Sequence, residues 1–173
     1  MPSFIQVKLL CLLRHAKSSW ADEELPDLER PLTGRGRKAA GRIAGYLTEH
    51  RVEPDLVLCS PALRTRQTLE LVRPALPDSA EVAIEDGLYG APAQDLLARL
   101  QRLPGSVETV LLIGHNPGIQ ELAARLAPPG ERRRLDHFPT AALALLALPA
   151  GDWSDLDHRP ARLVAVVIPR ELG

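Results

Sequence analysis

Only two cysteines, Cys11 and Cys59, occur among 173 residues, and both lie inside apolar runs. No CxxC pair and no Cys/His cluster with ligand spacing is present, which argues against a zinc site. Two such cysteines without a disulfide framework fit a reducing compartment, and the expectation is a cytoplasmic protein. The chain also lacks an excess of either charge. Lys plus Arg total 21 and Asp plus Glu total 22, for a formal net charge of −1. That balance gives no bulk reason to expect nucleic acid or a membrane as partner, so anion specificity must come from locally placed arginines. No apolar run is long enough to cross a bilayer. The early segment FIQVKLLCLLRH has a short apolar core, met at once by Arg14 and His15 with no small-residue cleavage site. It reads as a strand rather than a signal peptide. Also missing are a Walker-type loop, a carboxylate cluster for magnesium, internal repeats and linkers. The expectation is one domain over residues 1–173, of a length that suits one sizeable core, with no cofactor and no metal.

What is present is an alternation of short apolar runs and helical patterns. Residues 5–13 are apolar apart from Gln6 and Lys8, the mark of a central strand covered on both faces. Residues 34–50 carry Ala39, Ala40, Ile43, Ala44 and Leu47 at helical spacing, with Thr33 as N-cap. Strand 55–59, helix 62–72, strand 81–85, helix 93–102 and strand 108–113 follow. Pro117 opens a further helix reaching Leu126, since proline is tolerated in a first turn. Residues 141–148 and 162–168 form the last two strands, and the polar stretches 128–137 and 149–160 read as loops. Strand and helix in alternation predict an α/β domain with helices on both faces of the sheet. Ligands of such folds sit beyond the carboxyl ends of the strands.

Three of those strand ends carry related polar residues: L-R-H-A at 13–16, S-P-A-L-R-T-R-Q-T at 60–68 and G-H-N-P-G at 114–118. If the strands are parallel neighbours, Arg14, His15, Arg64 and His115 converge at one sheet edge. Two arginines and two histidines suit a phosphoryl group. Guanidinium forks bind phosphate oxygens bidentately. A neutral imidazole is a competent nucleophile, and a second can donate to the equatorial oxygens as charge spreads over them.

Together R-H-A, S-P-x-x-R-x-x-Q-T and G-H-N resemble the histidine phosphatase superfamily. R-H-A-K-S-S-W at 14–20 and R-P-L-T-x-R-G at 30–36 resemble its small SixA-like branch of phosphohistidine phosphatases. The resemblance implies a three-layer α/β/α sandwich around a mostly parallel sheet and catalysis without metal. It implies His15 as the nucleophile that becomes phosphorylated, Arg14 and Arg64 as phosphate-binding residues and His115 as the second pocket histidine. Larger relatives place a glutamate beyond the third strand as general acid. The corresponding region here is E-D-G-L-Y at 85–89, where Asp86 or Glu85 could serve. A weak or absent acid favours phosphohistidine over a phosphate monoester, because an alkoxide needs a proton to leave.

The expected substrate is therefore phosphohistidine on a protein. The alternatives are a small-molecule phosphomonoesterase on the same scaffold and a non-catalytic phosphate-binding module. The short chain has few long loops, which implies an open site and leaves no room for a mutase lid. Lys17 and Ser18 stand equally as entrance residues or ordinary loop residues. Arg30, Arg35 and Arg37 could steer an acidic substrate but read first as solvated helix-end charges, Arg66 reads as solvent-facing, and Arg132–Arg134 reads as a solvated loop rather than a docking patch. Trp20 and Trp153 read as shielding loops over the core, with Trp20 also a candidate pocket wall. His50, His137 and His158 have no motif context and are assigned no role.

Overall fold

The computed structural model describes residues 7–149 and 151–173. Leucine-rich runs form the centre of a mixed sheet. The strands are β1 (Leu9–Arg14), β2 (Leu56–Cys59), β3 (Glu81–Ile84), β4 (Thr109–Gly114), β5 (Leu143–Ala147) and β6 (Arg162–Val167). Their order in the sheet is β3-β2-β4-β1-β5-β6. The first four places in that order are parallel, while β5 runs antiparallel to β1 and β6 antiparallel to β5. The observed β1 starts at Leu9, and residues 5 and 6 of the expected strand lie outside the described residues.

The helices are α1 (Gly34–Glu49), α2 (Leu63–Val72), α3 (Ala93–Gln101) and α4 (Gly118–Leu126). Strand alternation divides the burial between two faces. Cys11 and Leu13 of β1 pack with Ile43 and Leu47 of α1 and Leu69 and Val72 of α2. Leu10 and Leu12 face the opposite layer with Leu97 and Leu100 of α3 and Leu122 and Leu126 of α4. This is the expected α/β/α sandwich. Adjacent strands β1 and β4 send their following helices to opposite faces, which opens a crevice at their carboxyl ends. Among the described residues no helix is long and apolar enough to cross a membrane.

Two stretches expected to be loops carry structure. Within 128–137, Pro129–Leu135 is a 3-10 helix whose Leu135 is buried in the core, and Phe138 is buried just beyond it. The polar run hid these two anchors because neither recurs at a helical or strand period. In the second stretch Trp153–Asp155 is a 3-10 turn held by an Asp152/Asp155 capping box. Trp153 does not shield a loop; it is fully buried in the core. Its Nε1–H donates to the Val107 carbonyl at 2.8 Å, and the Lys8 ammonium sits 5.9 Å from its ring. Trp153→Ala should cost about 3–5 kcal/mol from the cavity and the lost donor. Urea unfolding monitored by far-UV circular dichroism checks this, and a loss below about 1 kcal/mol would contradict the packing.

Candidate active site

The carboxyl ends of β2, β4 and β1 lie side by side in register. Arg14 pairs with Gly114 and Cys59 with Ile113, so Ser60, His115 and His15 emerge together. The His15 amide donates to the Gly114 carbonyl at 3.0 Å, and its own carbonyl accepts from Ala141 at 2.9 Å. The two imidazole centroids are 5.3 Å apart. They open on a cavity of about 530 Å³ lined also by Arg14, Arg64, Arg30, Asp27 and Tyr89.

His15 is 8% exposed and His115 also 8%. Desolvation by burial pushes both imidazoles down, His15 to about 4 and His115 to about 3, and the neighbouring guanidinium groups add to the shift. Both rings are neutral at physiological pH. Their tautomers follow from their partners. His15 Nδ1 lies 2.7 Å from the Ala16 carbonyl, which only accepts, so Nδ1 carries the proton and Nε2 keeps its lone pair. His115 Nδ1 faces Arg64 Nη2 at 3.4 Å, and a guanidinium only donates. Its Nε2–H therefore donates to Ser60 Oγ at 2.7 Å.

The arginines are held differently. Arg14 donates from Nη1 to the Phe138 carbonyl at 3.1 Å, while its buried Nε has no partner among the described residues. A buried guanidinium donor without an acceptor is costly, and an anion in the cavity would supply that acceptor. Arg64 sits in the first turn of α2 and is 6% exposed. Its Nη1 donates to the Asp27 carbonyl at 2.7 Å and its Nη2 to Asp27 Oδ2 at 2.9 Å. The rest of the S-P-x-x-R-x-x-Q-T run positions backbone. Gln67 Oε1 accepts from the Leu32 amide at 2.8 Å, and Thr68 Oγ1 accepts from the Ala16 amide at 3.0 Å. Gly36 lets α1 approach the same loop. A Cβ there would lie 2.2 Å from the Lys17 carbonyl.

Asp86 and Glu85 do not line the cavity. Asp86 opens a 3-10 turn (Asp86–Leu88) on the exposed surface, and the Glu85 carboxylate is held by Arg99 at 2.7 and 2.8 Å. The carboxylate that lines the cavity is Asp27, which sequence reasoning missed. It accepts from Tyr89 Oη, from Arg64 and from Arg30 Nη1 at 2.8 Å, and these bonds hold it well below the usual carboxylate range. Arg30 is not a solvated helix-end charge. It is 7% exposed, donates to Ser18 Oγ and to the Ser19 carbonyl at 3.1 Å, and stacks 3.3 Å from the centroid of the Trp20 ring. Trp20 is 74% exposed at the rim, and Lys17 and Ser18 also line the cavity. The sequence signal for Arg30 was its place as the first residue of the R-P-L-T run, and Asp27 lies three residues before it. Among the described residues no group of three or more His, Cys, Asp or Glu is placed to hold a metal ion.

The sequence model described as histidine phosphatase superfamily (branch 1) matches residues 10–91. The phosphohistidine phosphatase SixA of Escherichia coli K12 is 38% identical over 143 residues, covering 79% of this chain and 83% of that protein. A solved structure from Nakamurella multipartitia, assigned provisionally as a phosphohistidine phosphatase SixA, superposes with a TM-score of 0.82 at 34% identity. It covers 94% of this chain and 96% of the other. A protein histidine phosphatase SixA solved with tungstate gives a TM-score of 0.79 at 30% identity, over 95% of this chain and 99% of that one.

Two predictions follow from the site's charges. The unfolded chain takes up protons on both rings from about pH 6.5 downward, whereas the folded chain resists until about pH 4. The stability held by the neutral rings is thus present above pH 6.5 and falls as pH drops toward 4. Thermal unfolding across this window should show a falling Tm, and His15→Gln should flatten the slope; an unchanged slope would contradict neutral burial. Asp27→Asn removes the negative charge facing Arg64 while keeping an acceptor. It should tighten inorganic phosphate binding about fivefold, measured as product inhibition. Weaker binding would mean that Asp27 acts mainly by holding Arg64 in place.

Proposed function

This chain belongs to the histidine phosphatase superfamily and is a phosphatase acting on phosphorylated substrates, and on that footing we propose that its substrate is phosphohistidine carried on a protein. The observation that carries the substrate reading is that, among the described residues, the cavity is lined by no protonated carboxyl group. Asp27, its lining carboxylate, is held ionised by Tyr89, Arg64 and Arg30. An alkoxide leaving group needs a strong positioned acid. A phosphoramidate needs less, because its imidazole, protonated on the far nitrogen, departs neutral as the P–N bond breaks.

His15 is the nucleophile in this reading. Its Nε2 lone pair attacks phosphorus in line with the departing imidazole. The ring keeps its Nδ1 proton on the Ala16 carbonyl, so the phosphorylated ring is cationic and is itself a good leaving group. Water then attacks phosphorus, the P–Nε2 bond breaks, and its electron pair returns to Nε2. The proton lost by the water passes to solvent or to phosphate. The equatorial oxygens take hydrogen bonds from Arg14 Nε, the otherwise unpaired donor, and from Arg64 once Asp27 yields part of its hold. His115 stands beside them, oriented by Ser60. The tungstate held by the structurally similar SixA supports an oxyanion site in this fold.

A protein substrate also suits the open cavity, whose lining includes the exposed Trp20 and Tyr89. The free, buried thiols of Cys11 and Cys59 are consistent with a reducing, cytoplasmic location. The test is phosphate release from a phosphohistidine protein and from an aryl phosphate. Wild type should prefer the phosphohistidine protein, and His15→Ala should lower kcat on both by at least about a thousandfold. A preference for the aryl ester would overturn the substrate reading, and near-normal turnover by His15→Ala would overturn the covalent route.

A further inference from the structure

Beside the catalytic cavity lies a second groove of about 470 Å³, and the two share Lys17 and Thr140 along their common wall. Its lining carries Lys17, Arg35, Lys38, Arg42 and Arg170 and no carboxylate. None of these five cations enters an ion pair among the described residues, and all five are exposed. The chain as a whole has a net charge of −1, so this is a local concentration of positive charge.

Helix energetics oppose that concentration. Arg35, Arg37 and Lys38 crowd the start of α1, Arg42 follows one turn later, and the first turn holds no acidic residue. A helix N-terminus favours negative charge. Like charges three and four residues apart, as at Arg35, Lys38 and Arg42, also repel. Cations placed against local preference, beside a catalytic cavity and without counter-ions, indicate a surface built for an anionic partner. Arg35 and Arg42 are separated by seven residues, about 10 Å along the helix axis. The lining also includes the apolar Pro139 and Ile168. A compact inorganic anion would engage one or two such cations, whereas a row of cations in a groove that also has apolar lining fits a polypeptide bearing several carboxylates.

We propose that this groove docks an acidic segment of the phosphoprotein whose phosphohistidine enters the neighbouring cavity. This rests on the reading of the substrate as a phosphohistidine protein. Lys17, two residues beyond His15, joins the two sites, so a segment flanking the phosphohistidine can reach the α1 cations while the phosphoryl group faces His15. Charge matching of this kind raises encounter rate and selects among partners.

The test uses two synthetic phosphohistidine peptides that differ only in a flank of four glutamates or four glutamines, with an aryl phosphate as reference. Wild type should show kcat/KM about tenfold higher on the acidic peptide, carried in KM and shrinking with added salt. Lys38→Glu/Arg42→Glu should abolish the difference while leaving aryl phosphate turnover within about twofold, since neither residue lines the catalytic cavity. The neutral pair Lys38→Gln/Arg42→Gln must narrow the difference in the same direction, which separates lost docking from a disturbed fold. Equal kcat/KM for the two peptides in wild type, or a preference that survives in both variants, overturns the docking groove and leaves the substrate reading standing. Hydrolysis of the aryl phosphate but of neither peptide overturns the substrate reading, and the groove with it.

Discussion

Two imidazoles 5.3 Å apart, buried beside guanidinium groups, cannot readily take on charge. Each proton added would be desolvated and would face both Arg14 and Arg64. The site is therefore held as neutral rings within a cationic cage, and its remaining features answer to that constraint. The Ala16 carbonyl accepts a hydrogen bond from His15 Nδ1–H, which leaves the Nε2 lone pair free. Arg64 directs the His115 tautomer, and Ser60 receives the proton on its far side. Among the described residues the buried Nε of Arg14 has no hydrogen-bond partner, so it is a donor still to be satisfied.

Asp27 balances part of this charge from the rim. It reaches Arg64 and Arg30 and receives the Tyr89 hydroxyl, so it ties the segment after β1 to α2 and to the turn after β3. The same bonds keep it ionised, which makes it a poor proton donor at neutral pH. One residue thus connects the stability of the cation cluster with the proposed choice of leaving group. Around it, Gln67 and Thr68 hold the segment by its backbone, and Gly36 allows α1 to approach Lys17 closely.

The central strands were readable because each is a continuous apolar run ending in a polar signature, whereas their order in the sheet was not. Every expected strand and helix that falls within the described residues is present, with ends that coincide or differ by one or two residues. Thr33 accepts from the Gly36 amide at 3.0 Å, as an N-cap should. The loops were less legible. Leu135, Phe138 and Trp153 are anchors with no periodic neighbours, so their burial depends on the surface that another part of the chain presents. Asp27 and Arg30 lie in a polar segment whose partners, Arg64 and Tyr89, are dozens of residues away. The general acid sought at Asp86 or Glu85 was inferred from sequence order alone. In the fold Glu85 turns to Arg99 instead.

Local chemistry by itself specified the α/β alternation and singled out Arg14, His15, Arg64 and His115. Hydrophobic period and strand-end motif are both properties of neighbouring residues. The parallel register of β2, β4 and β1 then brought these four side chains to one crevice. Chain packing also selected Asp27 as the carboxylate of the cavity and gathered the α1 cations into a groove beside it. Electrostatic partners and burial depend on distance through space, and distance along the chain carries little of that information.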